Sequence, residues 1–352
     1  MGPNRKSTMP NRENGVSPPQ RIRPVPDLAE QLKNHVSPAL TNAAATFVDS
    51  LKVNSISEEV RRRKRVVIKR RNVHSEQLAD LANLYFRMSG IPIRFWSKAK
   101  EWQHWEVNCF RMLNGDRFRA YASGIRAIRI DKLPGKSLWE YLDQGTLTRQ
   151  MLEAAAAELR RAHQFWSKEF DGPWSHGDAS AANVIYNQKT RRARLIDFEI
   201  VHDRSLPAKS RHADDLLVFL LDIVATASSR QWLPFALSFL NAYGDPVVLA
   251  ELTNRLALPG GIAWIWWGVR TSFSNPAKVK QRLERIRDVT ANLRYYRAFA
   301  AKRARTRQRR RASMNCQVMS PGTPSPISLA RATRERAKAP SPGIPSKFPT
   351  TR

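Results

Sequence analysis

Apolar positions change their period along this chain. Short alternating or β-branched runs are interleaved with helices in its first half, and helical spacing takes over after about residue 200. "RVVIKRR" (Arg65–Arg71) alternates and predicts a strand, with Val67 and Lys69 on one face and Val66 and Ile68 on the other. "SEQLADLANLYFRM" sets Leu78, Leu81, Leu84, Tyr85 and Met88 at helical spacing, with Ser75 as N-cap and Gly90 and Pro92 as breakers. "KEWQHWEVNCFRML" predicts a second helix whose Trp102, Trp105, Cys109, Phe110 and Leu113 share a face. "FRAYASG" and "IRAIRID" predict strands, "LPGKSLWEYL" a turn opening a short helix, and "RQMLEAAAAELRRAHQFW" a strong helix.

The stretch "WSHGDASAANVIYNQKTRRARLIDFEI" (Trp174–Ile200) reads as a loop over 176–182, a strand over 183–186, a turn over 187–190 and a strand over 193–198. Five helical segments follow, from "ADDLLVFLLDIVATA" to "VKQRLERIRDVTANLRYY". Strands with one or two helices first, then a helical half, predict an α+β fold of two unequal lobes with a cleft between them.

Composition changes this picture at the two ends. Residues 1–45 are rich in Pro, Asn, Ser and charge; residues 301–352 join a basic block to repeated Pro and Ser. Neither holds enough apolar area to offset ordering entropy, so both are expected to be disordered. The folded part then lies near 46–300, as a small lobe over 46–130 and a helical lobe over 131–300. The chain carries 60 Lys+Arg against 30 Asp+Glu, a net charge of +30, and from Ala291 onward 15 Lys/Arg face one acid, Glu335. That excess attracts nucleic acid or an anionic membrane surface without choosing between them. "RRRKR" (Arg61–Arg65) and "KRARTRQRRR" (Lys302–Arg311) are its densest blocks, and no nucleic-acid reader motif accompanies them.

Two cysteines make neither a disulfide framework nor a zinc site, which suits a reducing cytoplasm. The longest apolar runs are too short to span a bilayer, and the N-terminus lacks the apolar core of a signal peptide. The expected place is cytoplasmic, with peripheral membrane contact through the basic blocks. The Trp264, Trp266, Trp267 group could form an aromatic box, but such spacing is more often core.

Candidate chemistry concentrates between Trp174 and Ile200. Phosphoryl transfer needs a carboxylate that positions the acceptor, oxygen ligands for magnesium, and a cation on the nucleotide phosphates. Asp178 and Asn183 are five residues apart on a loop running into a strand, and Asp197 follows 14 residues later. A hairpin between them would bring Asn183 and Asp197 to one end. Asp and Asn also favour plain turns, and only their joint spacing argues for a site.

"HGDASAAN…LIDFE" resembles the catalytic core of the protein-kinase-like superfamily, whose catalytic loop is His-x-Asp-x4-Asn and whose metal motif is Asp-Phe-Gly or a variant. Gly177, Ser180 and Glu199 point to the small-molecule branch: aminoglycoside phosphotransferases, choline kinases and lipopolysaccharide-core sugar kinases. The resemblance implies a two-lobed fold with a small β-rich N-lobe and a larger helical C-lobe. It implies ATP and Mg2+ as cofactors, Asp178 as base, Asn183 and Asp197 as metal ligands, and His176 as a brace. "VVIK" would present Lys69 to the phosphates, with Glu106 as its partner and Glu101 as the runner-up. "RHADDLL" would set Asp215 behind the catalytic loop. Two departures stand out. The stretch "LKVNSISEEVRRRKR", where a glycine-rich phosphate loop is expected, has no glycine, and Lys69 and Glu106 are 37 residues apart, which requires an insertion. The implied acceptor is the hydroxyl of a sugar, a glycolipid or another small molecule. A protein Ser/Thr kinase-like enzyme and a pseudokinase binding module with a basic tail are the alternatives.

Overall fold

The computed structural model describes residues 54–61 and 64–291. The segments expected to be disordered, 1–45 and 301–352, lie outside the described residues, as does the Lys302–Arg311 block. The described residues begin with β1 (Asn54–Arg61) and β2 (Lys64–Arg71), an antiparallel pair in which Asn54 faces Arg71 and Arg61 faces Lys64. α1 (Ser75–Met88), β3 (Ile93–Phe95) and α2 (Ala99–Asn114) follow, then β4 (Ala120–Ala122) and β5 (Ala127–Asp131). β2 pairs with β5, and β5 with β4, giving an antiparallel sheet in the order β1-β2-β5-β4. α2 carries the residue types its face requires: Trp102, Trp105, Cys109, Phe110 and Leu113 are all buried. Trp102 lies beneath the Arg71 guanidinium, 4.9 Å from ring centre to Cζ.

A tight turn at Gly135 leads from this sheet to the helical lobe. Its φ is +128, and a Cβ there would sit 2.2 Å from the Tyr186 carbonyl oxygen, so only glycine fits. β6 (Lys136–Ser137) enters α3 (Leu138–Asp143), whose Ser137 and Glu140 form a reciprocal capping box. α4 (Arg149–Ala162) and the small hairpin of β7 (Trp166–Ser167) and β8 (Gly172–Pro173) precede a single 3-10 turn at Ala181–Asn183. β9 (Val184–Asn187) and β10 (Arg192–Leu195) pair antiparallel, with β6 on the far side of β9. β11 (Ile200–His202) then pairs with β3.

The remainder is helical: α5 (Ala208–Thr226), α6 (Trp232–Tyr243), α7 (Pro246–Arg255), α8 (Ala263–Arg270) and a helix over 276–291. α5 is apolar over most of its circumference, as a central helix must be, and Phe219 on it stacks on Phe239 of α6 at 4.1 Å. Among the described residues no helix is long and apolar enough to cross a membrane. A small antiparallel sheet joined through one turn to a larger helical lobe is a protein-kinase-like fold.

α1 turns a different face inward from the one its leucines suggest. Ala79, Ala82 and Phe86 are buried, whereas Leu81 is 56%, Leu84 46% and Met88 69% exposed. The small alanines allow close approach to β3, and Phe86 contributes the large buried ring, T-shaped against Trp266 of α8 at 5.0 Å. Ser75 is not the N-cap: it is the first helical residue and is buried, and His74 stands at the cap without a side-chain bond. Trp266 and Trp267 are core residues, so they form no open aromatic box. The cluster of Ala79, Ala82, Phe86, Ile93, Phe95, Ile200 and Trp266 joins elements from both halves of the chain.

This packing sets an expected outcome. Phe86→Ala should destabilise the protein by about 3–5 kcal/mol. Leu81→Ser and Leu84→Ser should each change stability by about 0.5 kcal/mol or less. Urea unfolding of the three variants checks the order, and a leucine variant as damaging as Phe86→Ala would contradict the inward face.

Candidate active site

Lys69 lies on the inner face of β2, where its ammonium meets three carboxylates. Its Nζ is 3.1 Å from Glu106 Oε1, 2.5 Å from Asp197 Oδ1 and 3.9 Å from Glu199 Oε2. Burial works against the charge on Lys69, but Asp197, Glu106 and Glu199 outweigh it and raise its pKa. Glu106 is itself buried on α2, and its other oxygen, Oε2, accepts the Phe198 N–H at 3.0 Å. One glutamate therefore ties the strand lysine to the backbone of Asp197-Phe198-Glu199. Trp105 Nε1 adds a second tie to the Phe198 carbonyl at 2.7 Å. Glu101, by contrast, is exposed and pairs with Lys98.

Phe198 is fully buried between Trp174 and His176. Asp197 just before it adopts φ +66, a left-handed conformation that Asp tolerates better than most residues. The turn directs the Asp197 carboxylate toward Lys69 while Phe198 packs inward. Asn54 Nδ2 donates to Glu199 Oε2, so the start of β1 is pinned to the same cluster.

The loop carrying Asp178 is held by buried acids on α5. Asp215 Oδ2 accepts the His176 N–H and Oδ1 accepts the Gly177 N–H, both at 2.8 Å. Asp215 Oδ2 also bonds His163 Nε2 at 2.9 Å. Burial opposes the charge on Asp215, yet His202 and the bond from His163 keep its carboxyl well below the usual carboxylate range. Two helical turns later, Asp222 Oδ2 accepts the Ala181 N–H at 2.7 Å. Gly177 has φ +86, and a Cβ there would lie 2.4 Å from the Ile200 carbonyl oxygen, so this loop position requires glycine. His176 is buried with Nε2 on the Ile196 carbonyl at 3.0 Å, the placement of a brace.

Asn183 and Asp197 meet at one end of the β9–β10 hairpin. Val184 pairs with Leu195, and Ile196 N–H donates to the Asn183 carbonyl at 3.0 Å. Asn183 Nδ2 donates to the Asp178 carbonyl at 2.8 Å and to Asp178 Oδ2 at 3.1 Å, so its Oδ1 is the atom that could take a metal. Among the described residues no group of three His, Cys, Asp or Glu could by itself hold a metal. Two oxygens from Asn183 and Asp197, with water and phosphate completing the shell, is the donor set a magnesium ion takes beside a nucleotide. The residues present fit that ion.

The structure thus joins Lys69 to Glu106 and Asp197, Asn183 to Asp178, and His176 to Asp215, and the backbone of Ile196 links to both Asn183 and His176. The stretch without glycine is no loop where it is described: from Asn54 it forms β1. Its far end, where Arg61 faces Lys64, lies five residues from Lys69 and about 16 Å away along the strand. Asn54, rather than the Arg61 end, is the part of β1 at the cluster. Two residues of the loop's support, Asp222 and Arg270, carry no motif. Asp222 was signalled only by being a lone acid in the apolar run "LLVFLLDIVATA".

No known protein family and no curated protein matches the chain. Among solved structures, an ethanolamine kinase of Plasmodium vivax aligns with 76% of this chain and 96% of its own, at 11% identity and a TM-score of 0.35. The erythromycin complex of Rv3197 from Mycobacterium tuberculosis aligns with 60% of this chain and 62% of its own, at 12% identity and a TM-score of 0.30. Likeness this low carries no weight, and the fold and site rest on the geometry above.

Burial, then the neighbouring Asp197 charge, pushes the Glu199 carboxyl from 4.5 up to about 8. Folding then takes up a proton between those values, so this group's contribution to stability falls as pH rises through the window. Glu199→Gln, measured in chelator by thermal unfolding, should melt higher than wild type above about pH 8, with the gap closing below about pH 5. A gap independent of pH would contradict the raised value.

Proposed function

We propose that the protein is an ATP-dependent phosphotransferase that moves the γ-phosphoryl group to a hydroxyl of a sugar or another small molecule. The observation that carries this reading is the Lys69–Glu106–Asp197 ion cluster together with Asn183, which bonds Asp178 and lies at the hairpin end that leads into Asp197. Lys69, oriented by Glu106, is suited to neutralise the α- and β-phosphates. Asp178, partly exposed, is placed to accept the proton of the acceptor hydroxyl as its oxygen attacks the γ-phosphorus and the bond to the β,γ-bridging oxygen breaks, releasing ADP. Asn183 and Asp197 would hold Mg2+, which when bound supplies charge neutralisation on the phosphates. A glycolipid acceptor at an anionic membrane surface suits the chain's +30 charge.

One observation favours a second reading, a pseudokinase binding module. Lys69 grips Asp197 at 2.5 Å, so a metal must compete with an ion pair already made. Transfer from γ-labelled ATP separates the two. Asp178→Asn should retain Mg·ATP binding and lose about a hundredfold or more in transfer to sugars or water. Asp197→Ala should lose the thermal shift that Mg·ATP gives the wild type. Full turnover by Asp178→Asn would remove Asp178 as base, and wild-type protein that binds Mg·ATP without turnover would favour the binding module.

A further inference from the structure

Arg270, the last residue of α8, is nine-tenths buried against the loop that carries Asp178. Its Nη2 donates to the Gly177 carbonyl at 3.0 Å, and its Nη1 lies 3.6 Å from Asp214 Oδ2. Its guanidinium covers Trp266 at 5.3 Å, while its buried Nε has no hydrogen-bond partner. Asp214 Oδ2 also bonds His202 Nε2 at 3.1 Å, and His202 Nδ1 bonds Ser175 Oγ at 3.0 Å. The chain from Ser175 to Gly177 is thereby closed into a ring through His202, Asp214 and Arg270.

This ring is separate from the one at Asp215. Asp215 takes the N–H of Gly177, and Arg270 takes its C=O. That carbonyl belongs to the peptide bond joining Gly177 to Asp178. Glycine is the residue least able to fix its own dihedrals, so both sides of Gly177 need external partners if Asp178 is to keep one orientation.

α8 is built to present Arg270. At its start, Tyr85 OH donates to the Ile262 carbonyl at 2.7 Å and accepts the Trp266 N–H at 3.1 Å, fixing the helix to α1. At its end the chain reverses through two successive left-handed residues, Ser272 at φ +50 and Phe273 at φ +51. Two such non-glycine residues in a row are strained, and strain of this kind persists only where the surroundings enforce it. Phe273 N–H closes the turn on the Gly268 carbonyl at 2.7 Å, and a Cβ at Gly268 would lie 2.5 Å from the Phe273 ring.

We propose that Arg270 is a positioning residue that holds the Gly177–Asp178 peptide in its catalytic orientation, with Asp214 fixing the guanidinium. This rests on the phosphotransferase reading, and its test separates the two. Arg270→Met, Arg270→Lys and Asp214→Asn are compared with wild type in hydrolysis of γ-labelled Mg·ATP with water as acceptor, and in amide hydrogen exchange across residues 174–183. Arg270→Met should lower kcat about a hundredfold, leave KM for ATP within about twofold, and speed exchange in that segment. Arg270→Lys should recover part of the loss, and Asp214→Asn should fall between. An unchanged kcat overturns the proposal. So does a loss explained wholly by the unfolded fraction seen in thermal melts, or by unchanged exchange around Gly177. If the wild type itself shows no turnover above Asp178→Asn, the phosphotransferase reading fails. Exchange then decides alone whether Arg270 holds the loop.

Discussion

A buried ammonium is costly unless its charge is met, and Lys69 is 4% exposed. Its three partners come from separate parts of the chain: Glu106 from α2, and Asp197 and Glu199 from the turn between β10 and β11. The strand lysine therefore fixes the sheet, its supporting helix and the turn of the helical lobe to one another. Loss of Lys69 would leave these carboxylates without their shared cation, and that penalty exceeds the net worth of a pair. Such a cluster is an inefficient way to stabilise a fold, and buried, perturbed ionisable groups of this kind mark a candidate functional site.

The rest of the site is arranged so that this cluster faces a loop that cannot move far. α5 spans the helical core and offers Asp215 and Asp222 on one face, two turns apart, to backbone N–H groups at both ends of the loop. Neither acid reaches the reacting region; each satisfies donors that an irregular buried loop would otherwise leave unpaired. Arg270 satisfies an acceptor from the opposite side. Preorganisation of this kind is what phosphoryl transfer asks of a protein, because positioning and electrostatics supply most of its catalysis.

Much of this was legible in the sequence, for identifiable reasons. The α2 face was readable because aromatic and aliphatic residues recur at a 3.6-residue period without competition. Asn183 and Asp197 were readable because two short β runs bracket a turn, and a hairpin fixes which residues share an end. The inward face of α1 was not, since three exposed apolar side chains outweigh two alanines in any pattern, although alanine is what close packing against β3 requires. β3 escaped as well: three residues paired with β11, more than a hundred positions away, leave no local period. Asp222 and Arg270 act through backbone groups of distant residues, and backbone partners have no sequence signature.

The most direct test of the cluster as a nucleotide site is calorimetric titration of ATP into the wild type and Lys69→Met, each with Mg2+ and with chelator. Wild-type protein should bind ATP with Mg2+ and weaken about tenfold or more without it, and Lys69→Met should weaken similarly under both conditions. Binding of equal strength in all four titrations would show that the buried lysine and its carboxylates hold the fold together and nothing more.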